Sequence, residues 1–137
     1  RAMGRKIIQA LGGDVRGKTV GVLGLTFKPN TDDMRDSPAI AVIQTLQDAG
    51  ATVRAFDPEG IEPAKKVLDN VDYCTGPYEV AADVDALAIV TEWDAFRALD
   101  FERLKSIMKH PLLIDLRNVY DRKTVEDAGF TYHAVGG

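Results

Sequence analysis

The stretch "TVGVLGLTFKPNTDDMRDSP", Thr19 to Pro38, begins as a buried strand and ends where a helix starts. Its first part is rich in aliphatic and β-branched residues on both faces, which is typical of a strand buried on both sides in a parallel sheet. Ser37 stands where a helix N-cap belongs, and Pro38 occupies the first helical turn. The stretch therefore predicts a strand, a charged loop and a helix, which form one β-α unit.

The same alternation continues along the chain. Further strands are predicted at "TVRAFD", "VDYC", "DALAIVT", "PLLIDL" and near Tyr132. Helices are predicted between them, around Ile61 to Leu68, Tyr78 to Ala82, Phe96 to Met108 and Arg122 to Ala128. The pattern predicts an α/β fold: a Rossmann-like, doubly wound, mostly parallel six-stranded sheet with helices on both faces, in the strand order 3-2-1-4-5-6.

The composition is typical of one globular domain. The chain has 137 residues, of which 45% are hydrophobic and 28% are charged. Its net charge of -4 argues against a nucleic-acid or anionic-membrane surface, since both require a basic stripe. A single cysteine excludes an intramolecular disulfide, and no apolar run approaches membrane-spanning length. We therefore expect no nucleic-acid or membrane partner, and a cytoplasmic location.

Three cations are predicted to lie at one edge of the sheet. Lys28 and Arg35 follow the first strand, and Arg117 follows "PLLIDL". Because ligands of such sheets bind outside the carboxyl ends of the strands, and the next helix start also favours an anion, the cations indicate a diphosphate site. The alternative is that Lys28 and Arg35 only order the loop by pairing with its aspartates, which are Asp32, Asp33 and Asp36.

The sequence carries no dinucleotide fingerprint. Gly21 and Gly24 do not form G-x-G-x-x-G. Asp57 stands where a ribose-binding acid would stand, but "DPEG" is also an ordinary turn, and the turn is the favoured interpretation. Trp93 is interpreted as a packing residue, while Glu92 beside it could shape the site.

No metal site or nucleophile is expected in this chain. Cys74 has no basic partner nearby in the sequence and is interpreted as a buried structural residue. His110 and His133 lack metal-ligand spacing around them.

The first helix, Arg1 to Leu11, begins abruptly without an N-cap and stops at Gly12-Gly13. That start suggests a piece of a longer protein, with a tag remnant or a flexible arm as the alternative.

Four segments, in this order, resemble one family. They are "VGVLGLTFKPNTDDMRDSPA", "VRAFDPE", "AIVTEWDAFRALD" and "LIDLRNVYD". Together they resemble the C-terminal UDP-binding domain of the UDP-glucose 6-dehydrogenases, within the nucleotide-sugar dehydrogenase group that includes the GDP-mannose dehydrogenases. The resemblance covers nearly the whole chain.

The resemblance implies a domain organisation and an activity. Residues 1–13 would be the end of the central helix that builds the family's homodimer, and residues 14–137 the C-terminal UDP-sugar-binding domain. The N-terminal NAD-binding domain would precede them, and the catalytic cysteine would belong to parts not present in this chain, so no catalytic residue is expected here. The family oxidises UDP-glucose to UDP-glucuronate with two NAD, and this chain alone is expected to be inactive.

The resemblance also implies site residues. Phe27 and Lys28 in "TFKPNTDD" would contact the substrate, Arg117 in "DLRN" would hold it as well, and Arg35 in "DDMRDSP" would reach toward NAD. The family usually has glycine where this sequence has Leu116, which places the Arg117 loop in question if that glycine serves a positive φ or a close backbone approach.

Other functions remain open at this point. A UDP-N-acetyl-hexosamine or GDP-mannose dehydrogenase would share much of the layout. A non-catalytic module that binds a nucleotide sugar, or a structural domain that only assembles a dimer, is a further alternative.

Overall fold

The computed structural model describes residues 2–135 and contains a six-stranded sheet flanked by helices. The strands are β1 (Thr19–Leu23), β2 (Thr52–Phe56), β3 (Val71–Tyr73), β4 (Ala86–Ile89), β5 (Leu112–Asp115) and β6 (Thr131–Ala134). The helices are α1 (Ala2–Ala10), α2 (Pro38–Asp48), α3 (Ile61–Lys65), α4 (Pro77–Ala81), α5 (Asp94–Arg97), α6 (Phe101–Ile107) and α7 (Arg122–Asp127). Arg1, included in the predicted first helix, and the final glycines of the predicted domain lie outside the described residues.

The sheet has the predicted topology. Its strand order is β3-β2-β1-β4-β5-β6, and all of its strand pairs are parallel. The order reverses between β1 and β4, which is the switch point at which ligands bind in doubly wound folds. The carboxyl ends of all the strands lie at one edge, called here the carboxyl edge, and their starts lie at the opposite amino edge.

Alternating residues of the strands face two separate hydrophobic cores. On one face Val20 and Val22 pack with Ile7 of α1 and Ile43 of α2. On the other face the cluster includes Leu23 of β1, and it joins side chains of α4, α6 and α7, which are Val80, Leu104 and Val125. The prediction of helices on both faces is therefore confirmed, and the sheet supports the loops at its carboxyl edge.

The first strand ends earlier than the sequence predicts. The hydrophobic run continues to Phe27, but β1 stops at Leu23 because Gly24 turns the chain with φ +103°. A Cβ atom at Gly24 would lie 2.4 Å from the backbone nitrogen of Thr91, so a side chain cannot fit there. This turn releases Leu25 and the residues after it into the loop that precedes α2.

Two helix boundaries show the role of caps. Ser37 is the N-cap of α2, as predicted, and its side chain accepts a hydrogen bond from the N–H of Ala39 at 3.2 Å. The stretch from Phe96 to Met108, predicted as one helix, forms two helices, α5 and α6. Asp100 is the N-cap of α6, and its side chain accepts a hydrogen bond from the N–H of Arg103 at 3.2 Å.

The first helix packs on the body of the domain. Gly4 lies against Thr45 of α2, where a Cβ would approach the Thr45 Cβ to 2.7 Å. The Lys6 ammonium donates to the carbonyl of Ala134 at 2.8 Å, which joins α1 to the last strand. Within residues 2–135, no helix has the length and apolar character needed to span a membrane.

Candidate functional site

The loop between β1 and α2 is ordered by its own hydrogen bonds. The N–H of Phe27 donates to the carbonyl of Asp33 at 2.8 Å, and the Ser37 hydroxyl donates to the carbonyl of Leu25 at 2.6 Å. Asn30 and Asp36 take left-handed conformations, with φ of 63° and 57°, which these residue types tolerate. The loop therefore presents defined side chains at the carboxyl edge.

Phe27 and Lys28 both project from this loop into solvent. Phe27 is 46% exposed, which is unusual for a large apolar side chain next to a buried strand. No ion pair joins Lys28 to a carboxylate of the described residues. An exposed aromatic ring beside an uncommitted ammonium group can receive a ligand that has both an apolar face and an anionic group.

Arg35 is partly engaged within the loop. Its Nε and Nη2 atoms donate to the Asp33 carboxylate at 3.1 and 3.0 Å, while 89% of its side chain stays exposed. Hydrogen bonds from the Arg35 side chain and backbone hold the pKa of the Asp33 carboxyl below its ordinary value. Arg35 therefore pairs with a neighbouring aspartate, as the alternative interpretation predicts, whereas within residues 2–135 Lys28 forms no ion pair. Since the pair is exposed, a ligand can still compete for the guanidinium.

Arg117 is held by a carboxylate from the neighbouring strand's loop. Its Nη2 atom donates to Oε2 of Glu92 at 2.9 Å, and both side chains are about two-thirds buried, with 31% and 28% exposed. Burial by itself raises the pKa of the Glu92 carboxyl. Hydrogen bonds from Arg117 and from the Glu92 backbone outweigh that effect, so the pKa lies below its ordinary value of 4.5. Glu92 therefore fixes the direction of the Arg117 guanidinium, as a residue that shapes the candidate site would do.

The loop after β5 is organised by Asp115, which is fully buried. Its Oδ1 accepts from the N–H of Arg117 at 3.1 Å, and its Oδ2 accepts from the N–H of Tyr120 and the hydroxyl of Tyr132 at 2.9 and 2.7 Å. Burial, together with the hydrogen bond to Asp115, raises the pKa of the Tyr132 hydroxyl, so the phenol remains a donor.

Leu116 fits this loop without strain. Its side chain is 3% exposed and joins the core cluster on the α1 and α2 face of the sheet. The left-handed position of the loop is Asn118, with φ 56°, and Leu116 is not among the residues of positive φ. The backbone at position 116 therefore does not require glycine, and the leucine gains core packing.

Asp57 forms the turn that the sequence predicts. Its Oδ1 accepts from the N–H groups of Glu59 and Gly60 at 2.9 and 2.8 Å. The side chain is buried, and its other oxygen accepts N–H groups from the loop after β1 and from Trp93. Sequence reasoning missed these longer-range contacts, for which the only local signal was the turn itself. Because every contact of the carboxylate is internal, Asp57 is not free to bind a ribose.

Of the remaining candidates, Cys74 is buried, whereas His110 is largely exposed. Cys74 is 3% exposed, and burial raises the pKa of its thiol despite an Arg54 guanidinium nitrogen at 3.7 Å, a basic neighbour that sequence order conceals. The His110 ring lies 3.7 Å from the carboxylate of Asp85 at the amino edge. Among residues 2–135 there is no cluster of three or more potential metal ligands.

Two cavities lie away from the carboxyl edge. One, of about 240 Å³, lies between α1 and α2. The other, of about 550 Å³, is near the start of β2 at the amino edge. Neither cavity contains any of the four predicted site residues.

The four predicted site residues lie on the open surface at the carboxyl edge, where Phe27, Lys28 and Arg35 follow β1 and Arg117 follows β5. Since only β4 separates these two strands, the predicted grouping at one edge is present.

Comparisons with known proteins identify relatives along almost the whole chain. It is 64% identical to the UDP-glucose 6-dehydrogenase of Rhizobium meliloti (strain 1021) over 99% of its length, which is 31% of that relative. Among solved structures, a UDP-glucose dehydrogenase from Pyrobaculum islandicum is 35% identical, with a TM-score of 0.78 over 98% of this chain and 29% of that one.

A further structural neighbour is a UDP-D-ManNAc dehydrogenase from Pyrococcus horikoshii, with 26% identity and a TM-score of 0.79 over 98% of this chain and 30% of that one. The chain thus spans less than a third of the length of these proteins. The sequence model described as the UDP-glucose/GDP-mannose dehydrogenase family, UDP binding domain, matches residues 21–122. Since that match covers most of the sheet and all four predicted site residues, the chain belongs to the UDP-glucose/GDP-mannose dehydrogenase family and represents its UDP-binding domain.

Proposed function

We propose that this chain is the substrate-binding domain of a UDP-glucose 6-dehydrogenase, an enzyme that oxidises UDP-glucose to UDP-glucuronate with two NAD. The single observation that carries the proposal is the carboxyl edge, where an exposed aromatic ring, an uncommitted ammonium group and a held guanidinium lie on the loops of β1 and β5. The 64% identity to a protein of that name supports this choice of substrate.

Each predicted site residue has a role that its environment supports. The Lys28 ammonium and the Arg117 guanidinium bind the diphosphate, because both stay charged at neutral pH and suit phosphate oxygens. Phe27 packs against an apolar part of the nucleotide sugar. Arg35, which is 89% exposed, extends from the same loop toward NAD bound by another domain.

The residues of this chain do not fit a complete NAD site. The turn after β1 lacks the glycine fingerprint, and the carboxylate of Asp57 is fully used by internal N–H donors. NAD, which supplies the hydride acceptor, would therefore be held mainly by the N-terminal domain of the same protein. Residues 1–13 would end the central helix of a homodimer, residues 14–137 would form the UDP-sugar domain, and the enzyme would act in the cytoplasm.

Thermal unfolding of this chain with UDP, UDP-glucose, GDP-mannose and NAD tests the proposal. A ligand that binds only the native state stabilises it by about 2.7 kcal/mol at 100-fold excess over Kd. We expect the uridine ligands to raise the melting temperature and the other two to have little effect. A larger effect of GDP-mannose would indicate the GDP-mannose branch of the family instead.

Two lysine variants make the test specific. In Lys28→Ala the shift with UDP should be lost, because the ammonium at the carboxyl edge is removed. Lys109→Ala is the matched control, since Lys109 is also exposed but lies before β5, at the amino edge. Equal UDP shifts in the two variants would contradict the assignment of the site to the carboxyl edge.

A further inference from the structure

We propose that Asp57 is a positioning residue for nucleotide-sugar binding, which holds the loop that presents Phe27 and Lys28. This inference rests on the proposed function, in which those two side chains contact the ligand. Asp57 itself is 2% exposed, so it acts through the loop and not by touching the ligand.

One oxygen of Asp57 joins two distant loops. Its Oδ2 accepts from the backbone N–H groups of Leu25 and Thr26 at 2.7 and 3.1 Å, and from the indole Nε1 of Trp93 at 3.1 Å. Leu25 and Thr26 follow β1, whereas Trp93 follows β4, 36 residues beyond Asp57. The two loops that flank the topological switch point are therefore tied to one buried atom.

The other oxygen fixes the carboxylate in place. Oδ1 accepts from the N–H groups of Glu59 and Gly60 in the turn after β2, so the plane of the carboxylate is set from both sides. The carboxylate thus accepts from five nitrogen donors, three at Oδ2 and two at Oδ1. Each of these donors needs an acceptor, and a carboxylate offers acceptors at both oxygens. An asparagine would turn an NH2 group toward one of the two sets of donors, which would leave buried N–H groups unpaired.

Thr26 transmits this constraint to Lys28. Its N–H donates to Asp57, and its carbonyl accepts from the Thr91 hydroxyl at 2.8 Å. Its own hydroxyl lies 2.9 Å from the Lys28 carbonyl and 3.2 Å from Asp57 Oδ2, and its single proton serves one of them at a time. The N–H and the carbonyl of Thr26 are thus both fixed by hydrogen bonds, to Asp57 and Thr91. These bonds define the direction of the chain as it enters Phe27 and Lys28.

The test is the affinity of the full-length protein that carries this chain for UDP, measured by titration calorimetry. In Asp57→Asn we expect Kd to rise by about tenfold or more, since unpaired N–H groups would move the loop away from its binding geometry. Asp85→Asn is the matched control. Asp85 is also buried and accepts a backbone N–H, that of Thr19 at 2.9 Å, but it lies at the amino edge. We expect its Kd to stay within about twofold of the unsubstituted protein, even if its melting temperature falls.

A folded Asp57→Asn variant with unchanged Kd for UDP would overturn the proposal. If that variant does not fold, Thr26→Val decides, because it keeps the shape of the side chain and removes the hydroxyl next to the Lys28 carbonyl. We then expect Kd to rise by about threefold or more, and an unchanged Kd overturns the inference. Failure of the unsubstituted protein to bind UDP would contradict the proposed function itself, which is a distinguishable result.

Discussion

At the scale of single residues, the candidate site depends on charges that are held in place by other charges. Arg117 is directed by Glu92, and Arg35 by Asp33, at N–O distances of 2.9 and 3.0 Å. Lys28 has no such partner among the described residues. The Arg117 guanidinium therefore loses less freedom on binding an anion than Lys28 does, because its partly buried pair with Glu92 already sets its geometry.

Glu92→Gln should make the protein less stable at pH 7 by about 0.5–1 kcal/mol, since a partly buried ion pair becomes a neutral contact. The pKa of Glu92 is lowered in the folded state, so its contribution is present above its ordinary pKa of 4.5 and is lost as the pH falls through the folded-state value. Urea unfolding at several pH values should show the difference between the two proteins shrinking below pH 4.5.

Glu126→Gln is the control for this experiment. It removes the ion pair between Glu126 and Arg122 on the surface of α7. Both side chains of this pair are about half exposed. We expect a smaller loss at pH 7, of roughly 0.3–0.5 kcal/mol. If the free energy of unfolding of Glu92→Gln differed from that of the unsubstituted protein by the same amount at every pH, that result would contradict the role of the Glu92 charge.

At the scale of elements, the site depends on where β1 stops. Gly24 ends the strand through its φ of +103° and its close approach to the loop of Thr91. The chain then reaches Asp57 with two consecutive N–H groups and continues to Ser37, which starts α2. A strand that continued to Phe27, as the hydrophobic pattern alone predicts, would not place Leu25 and Thr26 against Asp57 or leave Phe27 exposed.

Gly24→Ala should lower the free energy of unfolding by about 2 kcal/mol or more, because it adds the strain of a positive φ to a steric clash. Gly12→Ala separates the two effects, since Gly12 has φ +93° but nothing within 4 Å of an added Cβ. We expect this control to lose only about 1 kcal/mol in the same urea titration. Equal losses in the two variants would mean that the contact with Thr91 does not matter.

At the scale of the whole molecule, the four candidate site residues lie at one edge of the described sheet, and the single cysteine is not among them. This cysteine is buried below the surface, and burial raises the pKa of its thiol. The site residues lie on an open surface, which fits a pocket completed by another part of a longer protein. The relatives are more than three times as long as this chain, which supports the same interpretation.

The purified chain should therefore form no NADH when it is mixed with UDP-glucose and NAD. The reason is that none of the candidate site residues is a cysteine, and the single cysteine of the chain is buried. NADH fluorescence checks this prediction, with the full-length protein as the positive control. Turnover by the chain alone would show that a catalytic group has been overlooked.

The sequence by itself determined the alternation of strands and helices, the strand order of the sheet and the N-cap at Ser37, but not the break between α5 and α6. These features follow from local patterns, namely hydrophobic periodicity, helix caps and the right-handed connections of parallel strands. The placement of Lys28, Arg35 and Arg117 at one edge follows from the same topology. Their role in binding a diphosphate is predicted from their charges and this topology, the assignment to substrate or NAD comes from the family resemblance, and both stay predictions.

Only the tertiary structure decided which partners these residues have. Arg117 meets Glu92 across 25 positions because β5 and β4 are adjacent, and Asp57 meets Trp93 across 36 because β2 and β4 flank β1 and end at the same edge. Likewise, the end of β1 at Gly24 depends on the backbone of Thr91, and the fit of Leu116 depends on the core beneath it. Such contacts depend on side-chain geometry between segments far apart in the chain, which local patterns do not encode.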